Sequence, residues 1–265
     1  MTPLAFVVLL AGTFPLQDIA KAARPSVVHL SIRDAKGKEV GSGSGFLISE
    51  DGRVATNHHV VDDALRMVAV FTDRHEVEVA GILAFDKDAD VAIVKLRAGK
   101  YAPLRLSATP GNPGDEIVVI GSPLGLGQAL STGIIGAVRE HGTKTAGDEE
   151  GEESWQIQIT AAISPGSSGS PILNASGEVV GLAVGGMDLA AYFGVPVAKL
   201  TALLDQKPEV VKPLTAAHAG RSVQTNLLIS AGVLGSVGLA FWVSSYIQRR
   251  RLRTIPPNVR AHRDR

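Results

Sequence analysis

The 265-residue chain contains no cysteine. This absence excludes a disulfide framework, a thiolate nucleophile and a cysteine-bound metal. Aromatic residues make up only 5% of the chain, whereas glycine occurs 29 times, a combination that favours a turn-rich β protein over a helical bundle. Hydrophobic residues at 45% and charged residues at 20% exclude a chain that is disordered throughout.

The chain also lacks an excess of either charge, since 26 Lys and Arg balance 26 Asp and Glu. The balance is uneven along the sequence, because residues 249–265 hold seven arginines and one aspartate and leave the preceding part mildly acidic. That preceding part has no basic stripe, so nucleic acid is not expected as a partner.

One long uncharged run lies near the C-terminus, at residues 226–247. As a helix rising roughly 1.5 Å per residue it would be about 33 Å long, enough to span a bilayer. An arginine cluster follows it. We therefore predict a tether over 207–225, a transmembrane helix over 226–247 in contact with membrane lipid, and a basic cytoplasmic tail over 248–265. The alternative is a buried core helix, which seldom ends in such a cluster.

The N-terminal run at residues 3–14 is apolar but too short to span a membrane. Its length fits the hydrophobic region of a signal peptide, and Ala20-Lys21-Ala22 offers a cleavage site, although no Lys or Arg precedes the run. We predict that residues 1–22 are a signal peptide or an uncleaved apolar arm. Together the two ends predict a single-pass protein of the cell membrane whose main domain is extracytoplasmic, either periplasmic or extracellular.

The body of the chain, residues 23–206, alternates short β-rich runs with glycine-rich breaks. Regular spacing of this kind favours an all-β sandwich or barrel over βαβ units. Residues 107–114 contain two prolines and two glycines and are predicted as a joint between two halves. A polar loop is predicted over 139–153 and one short helix over 196–206.

Three segments carry residues for nucleophilic chemistry: TNHHVV (56–61), DKDADVAIVKL (86–96) and SPGSSGSPI (164–172). A serine needs a neighbouring base to take its proton, and a histidine serves as that base when a carboxylate holds its other ring nitrogen. Gly166 and Gly169 allow a sharp turn that aims backbone N–H groups at a developing oxyanion. Each residue taken alone has an ordinary structural explanation, so the prediction depends on all three segments together.

A metal site is not expected, because the paired histidines lack the H-E-x-x-H spacing. No cofactor is expected either.

The same segments resemble the HtrA/Deg group of trypsin-fold serine proteases. The matching stretches are GSGSGFLIS (41–49), TNHHVV (56–61), DVAIVKL (90–96) and PGSSGSPI (165–172). The resemblance implies an all-β, trypsin-like double six-stranded β-barrel. Fewer than 30 residues separate the last predicted strand from the membrane segment, so we expect no PDZ domain of the kind that many members carry.

Residue by residue, the resemblance implies a catalytic triad of His59, Asp90 and Ser168. His58 occupies a variable position of the motif and is expected to be structural or exposed. The implied oxyanion hole consists of the N–H groups of Gly166 and Ser168, with help from Ser167. The implied pocket for the substrate side chain is formed by Ala162, Ile163, Val184 and Gly185, where no charge is present.

Two further interpretations remain open beside a membrane-anchored endopeptidase acting on polypeptides. One is a trypsin-fold module that binds a peptide without cutting it, and the other is a membrane-tethered sensor whose arginine tail signals. The oligomeric state is not predicted, because the aromatic N-terminal residues that usually form the family's trimer are represented only by Phe6 and Phe14.

Overall fold

A computed structural model describes residues 16–62, 64–97, 99–122, 127–139, 156–187 and 191–214. Six strands close a first barrel in the order β1-β2-β3-β6-β5-β4, and every neighbouring pair is antiparallel. The strands are β1 (Val27–Arg33), β2 (Glu39–Leu47), β3 (Arg53–Thr56), β4 (Met67–Val70), β5 (Glu76–Asp86) and β6 (Val91–Leu96). Leu30, Leu47 and Val94 are among the side chains that fill its interior.

Six more strands close a second barrel in the order β10-β11-β12-β9-β8-β7. They are β7 (Glu116–Gly121), β8 (Ala129–Arg139), β9 (Gln156–Ile159), β10 (Pro171–Asn174), β11 (Val179–Met187) and β12 (Ala191–Pro196). The interior contains Ile117, Ile157 and Ile172, which are fully buried. The chain crosses from the first barrel to the second between Leu96 and Glu116, a stretch that includes the predicted joint at 107–114.

In the described part of the chain, three α-helices accompany the barrels: α1 (Leu16–Ala23), α2 (His58–Val61) and α3 (Val197–Asp205). A separate apolar cluster combines buried side chains of α1 and α3 with strand residues from both barrels, such as Phe46 and Val118. Burial of apolar surface contributes a free energy of about 25 cal/mol per Å². This shared cluster therefore holds the two barrels against each other. The predicted site residues come from both barrels, since His59 and Asp90 belong to the first and Ser168 to the second.

The predicted double six-stranded β-barrel is therefore confirmed. The transmembrane helix predicted over 226–247 and the tail at 248–265 lie outside the described residues. Among the residues that are described, no helix combines the length and apolar character needed to cross a bilayer.

The folded part of the chain begins earlier than the predicted boundary at residue 23. Ala20-Lys21-Ala22, the candidate cleavage site, lies inside α1, where Ile19, Ala20 and Ala23 are buried in the cluster between the barrels. The apolar residues of α1 repeat at helical spacing and cover that cluster, so cleavage after Ala22 would remove Ile19 and Ala20 from the core.

The predicted tether also differs from the structure at its beginning. Lys212 pairs with Ile82 on β5 through two backbone hydrogen bonds of 2.8 Å each, and Leu214 packs against the core of the first barrel. Gly81 permits this approach, because a Cβ at that position would collide with the carbonyl oxygen of Lys212. The segment after α3 is thus attached to the first barrel as far as residue 214.

Candidate active site

The imidazole of His59 and the carboxylate of Asp90 are in contact at the end of the first barrel. The Nδ1 atom of His59 lies 2.7 Å from Oδ2 of Asp90, and the backbone N–H of His59 donates to Oδ1 of the same carboxylate at 2.9 Å. One carboxylate therefore fixes both the position and the ring orientation of the histidine. The His59 side chain is 49% exposed, so its Nε2 edge is open to a substrate.

The backbone of Asp90 adopts a left-handed conformation, with φ of 53°. Such a conformation is uncommon for a residue other than glycine and costs roughly 1–3 kcal/mol. Two contacts hold it: the N–H of Asp90 donates to the carbonyl of Lys87 at 3.2 Å, and the Asn57 amide donates to the carbonyl of Asp90 at 2.9 Å. The strained turn directs the Asp90 carboxylate at His59, immediately before β6 begins.

The neighbouring histidine has a different environment. His58 is buried, and its ring lies 4.8 Å from the ring of Phe85, centroid to centroid. The structure therefore places His58 in the packing of the first barrel, away from the Asp90 carboxylate. Asp86 caps the turn before β6 by accepting the N–H of Ala89 at 2.9 Å, while Asp88 is exposed.

Ser168 lies in a compact loop between β9 and β10. The N–H of Ser167 donates to the carbonyl of Ser164 at 2.9 Å, and the N–H of Ser170 donates to the carbonyl of Ser167 at 3.0 Å. These two bonds wrap the chain around the serine. Gly166 and Gly169, with φ of 88° and 85°, occupy the left-handed positions that the turn requires.

The hydroxyl of Ser168 donates to the carbonyl of Val184 on β11 at 2.8 Å. Among the described residues this is its one hydrogen bond, and none joins it to His59. Catalytic hydrogen bonds in an unliganded enzyme are often formed only when substrate binds, so the absence of this bond does not remove Ser168 as a candidate.

The predicted oxyanion donors divide into two groups. The N–H of Ser167 is already bonded to the Ser164 carbonyl within the loop. By contrast, the N–H groups of Gly166 and Ser168 have no acceptor within the described part of the chain. Two unpaired amides, one on the nucleophile itself and one two residues before it, are the kind of donors that an oxyanion hole requires.

The four predicted pocket residues lie in unlike surroundings. Ala162 is exposed, whereas Ile163 is buried and packs in the core of the second barrel. The two adjacent residues therefore differ in exposure, and Ala162 is the more accessible of them. Val184 is half-buried beside the loop, and Gly185 pairs with Phe193 in the β11–β12 ladder.

The structure adds two residues for which the sequence analysis gave no role. Asn57 holds the strained Asp90 turn, as described above. Ser44 on β2 donates its N–H to the carbonyl of Ser168 at 2.7 Å, and its carbonyl accepts the hydroxyl of Thr56 at 2.7 Å. Both residues occur within the motifs quoted above, but their motifs alone do not tell which atoms they contact.

The nucleophile loop is therefore bonded to β2, and β2 to the end of β3 just before His59. Comparison with known proteins shows the family of the chain. Residues 43–182, just over half of the chain, match the family model described as a trypsin-like peptidase domain. The chain belongs to the trypsin-like peptidase family.

Individual members of this family resemble the chain over most of the peptidase domain. Serine protease HTRA1 of Xenopus laevis is 35% identical over 70% of this chain, and serine endoprotease DegS of Haemophilus influenzae is 33% identical over 63%. The crystal structure of the serine endoprotease from Yersinia pestis superposes with a TM-score of 0.62 at 26% identity, covering 73% of this chain and 66% of that one. The matches span 41% of the Xenopus protein and 50% of the Haemophilus protein.

The loop of this trypsin-like peptidase should tolerate no side chain at Gly169. A Cβ there would collide with the Ser44 carbonyl and the Thr56 hydroxyl, and φ is 85°. We expect Gly169→Ala to lower the free energy of unfolding by about 2–5 kcal/mol, since a left-handed backbone and an overpacked contact add. Thermal unfolding measures this. Gly114→Ala is the control, because φ is 98° but no atom lies within 4 Å; an equal loss there would show that the contact with Ser44 is unimportant.

Proposed function

We propose that this protein is a serine endopeptidase that hydrolyses peptide bonds with a triad of Ser168, His59 and Asp90. The observation that carries the proposal is the double contact of one carboxylate with both the backbone N–H and Nδ1 of an exposed histidine. A histidine held in this way keeps its other ring nitrogen for proton transfer to and from a serine. The names of the relatives, all serine proteases or endoproteases, support the same reaction.

The reaction begins when substrate displaces the Ser168 hydroxyl from the Val184 carbonyl. The hydroxyl oxygen then attacks the carbonyl carbon of the scissile bond, and Nε2 of His59 accepts its proton. The negative charge that develops on the substrate oxygen is stabilised by the N–H groups of Gly166 and Ser168. His59 returns the proton to the leaving amine, and water releases the acyl group by the reverse sequence of steps.

Hydrolysis of an unfolded polypeptide tests the proposal. The purified protein is expected to cleave casein or a quenched fluorescent peptide library, and new amine termini identify the cleaved bonds. A protein that binds such peptides in a fluorescence polarisation assay but produces no new termini would instead be a peptide-binding module.

Substrate preference follows from the uncharged surroundings proposed for the pocket. Ala162 and Val184 carry no charge, and burying a substrate Lys or Arg without a carboxylate partner is costly. We expect cleavage to occur mainly after small or medium aliphatic residues, as read by mass spectrometry of a cleaved peptide library. Predominant cleavage after Lys or Arg would mean that an acidic group reaches the pocket.

We further propose that the protein is anchored in the cell membrane, with the peptidase domain outside the cytoplasm. The support is the sequence alone: an uncharged run at 226–247 followed by an arginine cluster. Deletion of residues 222–265 is expected to move the peptidase from the membrane fraction to the soluble fraction with its activity retained. Protease accessibility of the tail in intact cells tests the orientation. Digestion of the tail from outside the cell would show that the orientation is the opposite of the one proposed.

A further inference from the structure

Ser44 lies on β2, in the first barrel, but its contacts reach the nucleophile loop of the second barrel. It is fully buried, with all of its polar atoms hydrogen-bonded. Its hydroxyl donates to the carbonyl of Gly166 at 2.8 Å and accepts the N–H of Ser122 at 3.0 Å. A serine hydroxyl has one proton, so the bond received from Ser122 leaves that proton for Gly166.

Ser44 thereby anchors two peptide groups of the nucleophile loop. The Gly166–Ser167 peptide is held at its carbonyl by the Ser44 hydroxyl and at its N–H by the Ser164 carbonyl. The Ser168–Gly169 peptide is held at its carbonyl by the Ser44 N–H and at its N–H by the Ala183 carbonyl. Neither plane can rotate without breaking two hydrogen bonds.

Along the chain, each of these two anchored peptides directly follows a peptide whose N–H, that of Gly166 or that of Ser168, has no acceptor among the described residues. Gly166 is the weak point of this arrangement, because glycine at φ of 88° can adopt other conformations at little cost. The bond from the Ser44 hydroxyl is one of the two contacts that fix the Gly166–Ser167 peptide, and the one that comes from the other barrel. We propose that Ser44 is a positioning residue. Its hydroxyl keeps the Gly166 amide directed at the oxyanion of the reaction.

The proposal rests on the proposed peptidase function and makes a distinct prediction for kinetics. Removal of the hydroxyl by Ser44→Ala leaves Ser168, His59 and Asp90 in place. We expect kcat to fall by about 10–100-fold, less than the loss of an oxyanion donor itself, with KM changed less than twofold. Affinity for a peptide aldehyde, whose adduct carries the oxyanion, should fall in parallel. The pH at which kcat/KM is half-maximal should stay the same, since the histidine and its carboxylate are untouched.

A matched control is Ser170, two residues after the nucleophile. It is also fully buried, and its hydroxyl has no hydrogen-bond partner within the described part of the chain. Ser170→Ala should therefore leave kcat within twofold of wild type. The proposal would be overturned if Ser44→Ala and Ser170→Ala lost equal amounts of kcat. It would also be overturned if Ser44→Ala changed KM alone.

A second pair of variants covers the case in which Ser44→Ala does not fold. Threonine and valine have nearly the same shape, and both suit a strand, but only threonine carries a hydroxyl. Ser44→Thr should retain kcat within about threefold of wild type, while Ser44→Val should lose it as the alanine variant does. Equal activity of this pair would overturn the proposal.

Amide hydrogen exchange separates this inference from the proposed function, because it needs no catalysis. The N–H of Ser167 should be protected in wild type and exchange at least tenfold faster in Ser44→Ala, with no change in Ser170→Ala. A wild-type protein that cleaves nothing would refute the peptidase function, yet faster exchange at Ser167 would still support the anchoring of the loop. Unchanged exchange would refute the anchoring whether or not the protein is active.

Discussion

Replacement of Ser168 by alanine is expected to abolish peptide hydrolysis while the protein remains folded. The side chain is small and half-buried, and among the described residues it is bonded only to the Val184 carbonyl, so its loss leaves no cavity of consequence. Removal of the nucleophile or the base from a Ser-His-Asp triad lowers kcat by about 10⁶-fold, because the groups act as a unit. His59→Ala should therefore cost nearly as much as Ser168→Ala, and the double variant no more than either alone. Steady-state hydrolysis of a fluorescent peptide measures all three.

The adjacent histidine provides the control. His58 packs on Phe85, and the hydrogen bonds to the Asp90 carboxylate come from His59, so His58→Ala should lower the thermal stability but preserve most of kcat per folded molecule. If a folded His58→Ala protein were inactive while His59→Ala remained active, His58 would be the base and not His59.

Replacement of Asp90 by asparagine is expected to slow hydrolysis by about 10⁴-fold with little change in KM. The carboxylate accepts both the backbone N–H and the ring N–H of His59. An asparagine amide can offer one oxygen only, and its NH₂ group stabilises the wrong tautomer of the imidazole. The Asn57 contact with the Asp90 carbonyl is unaffected, so the turn should survive. Single-turnover kinetics isolates the chemical step.

Asp88 is the matched control for this substitution. It lies in the same turn, is exposed, and makes no hydrogen bond to His59. Asp88→Asn should retain activity within about twofold, because the side chain is exposed and makes none of the contacts that orient His59. A comparable loss in Asp88→Asn and Asp90→Asn would mean that the charge of the turn, not the geometry at Asp90, supports the reaction.

Much of the fold could be predicted from local pattern. Short β-rich runs separated by glycine and proline indicated the strands, and the joint at 107–114 lies within the crossing between the barrels. The motifs around His59, Asp90 and Ser168 predicted that these three residues meet, and the structure places His59 beside Asp90. The position of each histidine in the motif was enough to predict that His59, and not His58, is the base. In the structure His58 is buried and His59 is exposed.

Contacts between distant segments could not be predicted in this way. The pairing of Lys212 with Ile82 depends on an approach that only Gly81 permits, and a stretch with two prolines gives no sign of it. The apolar residues of α1 look the same whether they enter a membrane or a protein core. Likewise, the motif GSGSGFLIS gives no indication that the hydroxyl of Ser44 crosses to another barrel. Long-range partners are set by the closed topology, not by local spacing.

The most direct measurement of the central claim is covalent labelling of the wild-type protein with a fluorophosphonate, followed by mass spectrometry of its peptides. Only a serine activated by a neighbouring base reacts at an appreciable rate. The account predicts one adduct per chain, on Ser168, and its loss in His59→Ala. An unlabelled wild-type protein, or an adduct on Ser164 or Ser167 instead, would contradict it.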